Sequence, residues 1–167
     1  MIQTLSEGND QSSTVAKLIE DYERGTADLI AAVSGLTDEQ LRARPVPGKW
    51  STLEVVCHIA DADEFFADRM KRTIAMERPL LIGVDGILYL EALGYQQHDL
   101  QEELDLLGAT RRQLTRTLRR LPPTAWQRTA VHSEKGLLTL QELLQYTVNH
   151  LADHLVHIVE KRRAMES

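Results

Sequence analysis

Two tetrapeptides constrain this chain more than any bulk property: Ser51-Thr52-Leu53-Glu54 and Thr139-Leu140-Gln141-Glu142. Each has the spacing of a capping box, in which the Ser or Thr hydroxyl and the Glu carboxylate satisfy backbone N–H groups left open at a helix N-terminus. Each also opens a segment whose apolar residues return at helical intervals. The first predicts a helix from Ser51 to about Met76, ahead of Pro79, and the second a helix from Thr139 to about Arg163. Two further segments carry the same periodicity. From about Thr14 to Gly35 the apolar positions are Val15, Leu18, Ile19, Tyr22, Leu29, Ile30 and Val33, with Gly25 a weak point. From Asp99 to Leu121, the residues Leu100, Leu104, Leu107, Leu114, Leu118 and Leu121 form a near-heptad seam that Pro122-Pro123 ends.

The connections are as informative as the helices. Residues 36–41 read as a short helical turn, while Arg44 to Trp50, with two prolines and a glycine, cannot be helical. The stretch from Arg78 to Gln97, with Gly83, Gly86 and Gly94, is too long for an idle link, so it either crosses the bundle or covers something. Thr124 to Leu138 reads as a second irregular connection. The expected fold is therefore all-α: a four-helix bundle with long crossover connections, one domain over residues 1–167 with a flexible start at 1–12. Composition agrees, because aromatics make up only 5% and the unbranched helix formers abound.

A formal charge of −6 repels phosphate backbones, and the arginines from Arg111 to Arg120 spread around a helix rather than forming a patch. Nucleic acid is not an expected partner. A single cysteine leaves no internal disulfide and suits a reducing compartment. No signal peptide or membrane span is visible in the sequence, so the expected location is the cytoplasm, with no membrane partner.

Six histidines carry the chemistry: His58, His98, His132, His150, His154 and His157. His150 and His154 are spaced i,i+4 on the edge of the buried stripe Leu140, Leu143, Leu144, Thr147, Leu151, Leu155 and Ile158, so their rings point into the bundle. That spacing suits two ligands of one metal ion, with a third from a facing helix, where His58 stands. Asp61 and Glu54 flank His58 at i+3 and i−4 and are candidates to accept its second ring N–H; Asp153 and Glu142 are weaker candidates for the other two. The competing reading is a set of hydrogen-bonded histidines at the core edge. His157 is a ligand or merely a polar neighbour, and His98 and His132 fall in connections where exposure is expected. Cys57 lies about 100° around the helix from His58 and reads as a small buried hydrophobe.

Gly48-Lys49-Trp50-Ser51 leading into Cys57-His58-Ile59-Ala60-Asp61-Ala62 resembles the second-helix signature of the DinB/YfiT-like proteins. Arg111 with Leu114 and Leu118, then Trp126-Gln127-Arg128, His132, Gly136, Leu138-Thr139-Leu140 and His150-Leu151-Ala152-Asp153-His154 resemble that family's C-terminal half. The resemblance implies an up-down-down-up bundle, often a homodimer, with zinc or nickel on three histidines that correspond to His58, His150 and His154. It also implies a thiol-dependent S-transferase that uses a low-molecular-weight thiol on a small-molecule substrate. The alternatives are a metal-dependent hydrolase and a non-catalytic, metal-binding, stress-associated dimer. Arg111, Arg128 and His132 are the candidates for holding an acidic thiol or substrate.

Overall fold

In the computed structural model the described residues are 3–166, with side chains described from residue 12 onward. Helices α1 (Gln3–Val33), α2 (Asp38–Arg42), α3 (Thr52–Ala75), α4 (Gly86–Leu93), α5 (Leu100–Leu118) and α6 (Leu140–Glu166) alternate with three short strands. The strands are β1 (Leu80–Leu81), β2 (Thr129–His132) and β3 (Gly136–Thr139). Helix α1 starts earlier than the expected Thr14. Of the flexible start expected at residues 1–12, residues 1 and 2 lie outside the described residues and residues 3–12 belong to α1.

Both capping boxes form. Ser51 Oγ accepts the Glu54 N–H at 3.1 Å, and the Glu54 carboxylate accepts the Ser51 N–H at 2.7 Å. Glu142 accepts the Thr139 N–H at 2.7 Å, and Thr139 Oγ1 accepts the Glu142 N–H at 3.2 Å. A third box, Thr37 with Gln40, caps α2.

The two halves of the core give the helix directions. One half joins Val15 to Tyr22 of α1 with Phe66 to Met70 of α3, Leu114 and Leu118 of α5, and Leu140 to Leu144 of α6. The other joins Leu29 and Val33 with Leu53 to Ile59, Leu104 and Leu107, and Leu151 and Ile158. The starts of α1 and α6 thus share one end of the bundle with the finishes of α3 and α5. The arrangement is up-down-down-up, as the resemblance implied. Since α3 and α5 run parallel, the chain must climb the full bundle length between them, which is why the connection from Arg78 to Gln97 is long.

That connection is not bare loop. It contains β1, α4 and the 3₁₀ turn Tyr95–Gln97. The connection expected to be irregular at residues 124–138 holds a hairpin, β2 against β3, and β1 pairs with β2 in parallel. Alternation in β2 buries Ala130 and His132 and turns Thr129 and Val131 outward, a period too short to notice in four residues. Gly136, at φ 74°, takes the left-handed turn that closes the hairpin.

The core also holds a charged pair. Arg111 and Asp63, each only 2% exposed, share two hydrogen bonds of 3.0 and 2.8 Å. The Tyr22 hydroxyl donates to the same carboxylate at 3.2 Å, and Arg111 Nη1 donates to the Tyr22 carbonyl at 2.9 Å. Gly25 makes this possible: a Cβ there would sit 2.2 Å from Arg111 Nη1. The weak point of α1 is the space through which the guanidinium reaches its backbone.

Removing one partner leaves a charge buried without compensation. Arg111→Ala is expected to lower stability by about 3–5 kcal/mol in urea titration, whereas Arg111→Met with Asp63→Leu should recover most of that loss.

Candidate metal centre

His58 sits near the start of α3, and His150 and His154 one turn apart on α6, which packs against α3. Their donor nitrogens all lie within 4.8 Å of one another. His58 Nε2 and His150 Nε2 are 3.2 Å apart. Two ligands about 2.1 Å from one ion at tetrahedral angles lie roughly 3.4 Å apart, so this separation suits shared coordination as well as an N–H···N bond. His154 Nδ1 is buried with no hydrogen-bond partner among the described residues, a costly state for a polar atom unless something binds it. The donor set fits a divalent ion.

The electrostatics keep these imidazoles neutral. Burial pushes His150 down to about 3 and His154 down to about 4, and the neighbouring imidazoles add to both shifts. Burial lowers His58 too, opposed by the charge of Asp61. Neutral imidazoles are the form that binds metal. Packing holds the rings in place: Trp50 meets His58 edge-on at 5.2 Å, and Phe66 meets His150 at 5.2 Å. On the crossover side, a Cβ at Gly86 would lie 2.6 Å from His58 Cε1, so only glycine lets the backbone pack there.

His58 and His150 form one wall of a cavity of about 170 Å³. Its other walls are Phe65, Phe66 and Arg69 of α3, Val84, Tyr89 and Tyr95 of the crossover, His132, Glu134 and Lys135 of the hairpin, and Tyr146 of α6. The long connection therefore both crosses the bundle and covers something.

Several sequence expectations need correction. Glu54 does not serve His58; its carboxylate binds Arg44 and the Ser51 N–H. Asp61 lies in the cavity beside His58, but its hydrogen bond goes to the Tyr95 hydroxyl. Glu142 accepts from its own helix cap. Arg111 is locked in the core pair and is not available to a substrate. Arg128 donates to the Thr73 and Met76 carbonyls at 2.9 and 2.6 Å, closing the C-terminus of α3. His132 is 5% exposed rather than open to solvent, and alone of those three candidates lines the cavity. His98 is also partly buried, with Glu103 2.7 Å from its Nδ1. His157 stays outside the cluster, half-exposed and 3.6 Å from Glu160. Cys57 is fully buried, as expected.

Sequence reasoning missed Arg69, Lys135 and Tyr146. A signal for Arg69 existed: His58, Asp61, Ala62, Phe65 and Arg69 recur at the spacing of one helix face. Nothing local marked the hairpin residues, because the tertiary fold alone carries them to α3.

The chain belongs to the DinB superfamily, which it matches over residues 21–158. It is 31% identical over 150 residues to the Bacillus subtilis (strain 168) protein named "Putative metal-dependent hydrolase YfiT", covering 89% of this chain and 84% of that one. "Putative metal-dependent hydrolase OB0782" of Oceanobacillus iheyensis is 29% identical over 126 residues, covering 75% and 73%. The solved structure of YfiT, described as an unusual four-helix bundle topology, superimposes with a TM-score of 0.85 at 30% identity, over 91% of this chain and 87% of that one. The mycothiol-dependent maleylpyruvate isomerase shares the fold at a TM-score of 0.68 and 13% identity, over 85% of this chain and 59% of its own.

Replacing His58, His150 or His154 singly with Ala should weaken divalent-metal binding at this centre at least about tenfold, read by competition with a chelator, and His157→Ala should leave it unchanged. In metal-free protein the depressed histidines also set a pH dependence. The unfolded chain takes up protons below about 6.5 while folded His150 and His154 do not, so stability is fully present above that pH and is lost as pH falls toward 4. Urea midpoints at pH 7 and 4.5 should show the loss, and it should shrink in His150→Gln/His154→Gln.

Proposed function

We propose that this protein is a metal-dependent enzyme that transfers a low-molecular-weight thiol to a small electrophilic substrate held in the cavity. The supporting observation is the position of the three-histidine cluster: two of its members, His58 and His150, line a cavity large enough for a small molecule. A divalent ion held by His58, His150 and His154, zinc or nickel, supplies a nucleophile at neutral pH because it lowers the pKa of a thiol or water in contact with it.

The chain's own groups bind and orient. Arg69, anchored by its bond to the Ile82 carbonyl at 2.7 Å, and Lys135, with its ammonium 4.6 Å from the Tyr146 ring centre, place two cations where an acidic thiol or substrate would enter. His132 Nδ1 accepts the Glu134 N–H at 3.2 Å, which leaves Nε2 carrying the ring proton as a donor. Phe65, Phe66 and Tyr89 supply apolar walls that exclude water. Asp61, beside His58, accepts from the Tyr95 hydroxyl, and Glu134 also lines the cavity. The preference for a thiol rests on Arg69 and Lys135, whose charges suit an acidic thiol.

Hydrolysis is the second reading, favoured by the names of the relatives near 30% identity. The proposal further places the protein in the cytoplasm as a homodimer; a non-catalytic metal-binding dimer is the reading it opposes.

Zinc- or nickel-loaded protein is expected to conjugate small cysteinyl thiols to a haloaromatic probe, and to lose that activity with a chelator or with His150→Ala. Arg69→Met should raise KM for an acidic thiol more than it lowers kcat. Metal-dependent cleavage of an ester without any need for thiol would transfer the assignment to the hydrolase, and failure of both reactions would favour the non-catalytic reading.

A further inference from the structure

A second set of donors meets where the crossover returns to the bundle. Cys57 of α3, His98 at the end of the crossover and Glu103 in the first turn of α5 bring one sulfur, one nitrogen and one oxygen within 4.8 Å of one another. Cys57 neighbours His58 in sequence, but its thiol faces the Tyr95 carbonyl at 3.9 Å, on a different side of α3 from the histidine cluster.

The hydrogen bonds of His98 point to a cation. Its Nε2 lies 3.3 Å from the Leu93 carbonyl oxygen, which can only accept, so Nε2 carries the ring proton. Nδ1 of the neutral ring then aims a lone pair at Glu103 Oε1, 2.7 Å away, acceptor against acceptor. Something must lie between them: a proton shared by the ring and the carboxylate, or a metal ion. The sulfur of Cys57 beside the pair favours the ion, because a proton needs no third donor while zinc takes sulfur, nitrogen and oxygen together. A histidine that ligates through one nitrogen and donates the other N–H to a backbone carbonyl is also the usual arrangement at such sites. Tetrahedral spacing would part Nδ1 and Oε1 by about 0.7 Å, and the His98 side chain, 33% exposed, has room for that.

We propose that Cys57, His98 and Glu103 form a second divalent-metal site, of zinc-like preference, separate from the three-histidine centre. It clips the returning end of the crossover to α3 and α5. Tyr95 links it to the cavity: its ring packs 5.4 Å from His98, its carbonyl meets Cys57, and its hydroxyl bonds Asp61 beside His58. Occupancy of the clip holds that wall of the cavity in place.

The chain has one cysteine, so a sulfur-to-cobalt charge-transfer band in thiol-free buffer reports on Cys57 alone. Wild-type protein titrated with cobalt at pH 8 should show that band and bind two equivalents. His150→Ala/His154→Ala should keep the band and about one equivalent, while His98→Asn and Glu103→Gln, checked for unchanged circular dichroism, should lose it. No band in the wild-type protein would overturn the proposal and leave His98 and Glu103 as a protonated pair. A band abolished by the His150/His154 replacements but kept by His98→Asn would overturn it too, by assigning the sulfur to the first centre.

Discussion

Two opposite charges removed from water set the register of this bundle. An ion as buried as Arg111 or Asp63 costs several kcal/mol to desolvate, and only near-ideal geometry offsets that cost. The paired bonds between them, the Tyr22 hydroxyl and the Tyr22 carbonyl supply it, and these groups come from α5, α3 and α1. A slip of one residue in any of those helices would break the set. Gly25 belongs to the same constraint, since a side chain there would occupy the guanidinium's place. The alignment that satisfies Asp63 also carries His58, a turn and a half earlier on α3, to its place opposite His150. Arg111 is near enough that its charge contributes to keeping His150 neutral. The same pair that holds the helices in step thus helps keep a candidate metal donor neutral.

The parallel run of α3 and α5 has the next largest consequence. Parallel neighbours cannot be joined by a tight turn, so the chain between them spans the bundle and becomes available as a wall. It packs backbone against the His58 ring at Gly86, closes the cavity with Tyr89 and Tyr95, and brings His98 to Cys57 and Glu103. Much of α4 is apolar yet exposed, including Ile87, Leu88 and Leu93, so burial holds this wall chiefly at its ends, through Leu81 and Tyr95. Polar anchors add to them: the Tyr95 hydroxyl on Asp61, the Arg69 guanidinium on the Ile82 carbonyl, and the Gly83 N–H on Ser133 Oγ.

How much of this could be read beforehand differs by element. Helices α3 and α6 were legible because caps and stripes are local: Ser51 with Glu54 and Thr139 with Glu142 need only each other, and a buried face repeats every three or four residues. The hairpin was not legible, because Ala130 and His132 alternate over only four residues and are stabilised by pairing with β1, distant in the chain. Arg111 looked like one of a run of surface arginines because its partner lies 48 positions earlier. Arg128 looked like a substrate group for the same reason; the carbonyls it closes belong to another helix.

The sequence by itself determined the four long helices, the starts of α3, α5 and α6, and the inward edge on which His150 and His154 lie. Each rests on hydrogen bonds or periodicity within a few residues of chain. Only the tertiary structure decided which polar residues serve the site and which serve the fold. Asp61, Arg69, His132 and Lys135 come to the cavity, while Glu54, Arg111 and Arg128 go to caps and core. A charged side chain does not announce its partner. Which carboxylate, carbonyl or ring it meets depends on how helices far apart in sequence come to lie side by side.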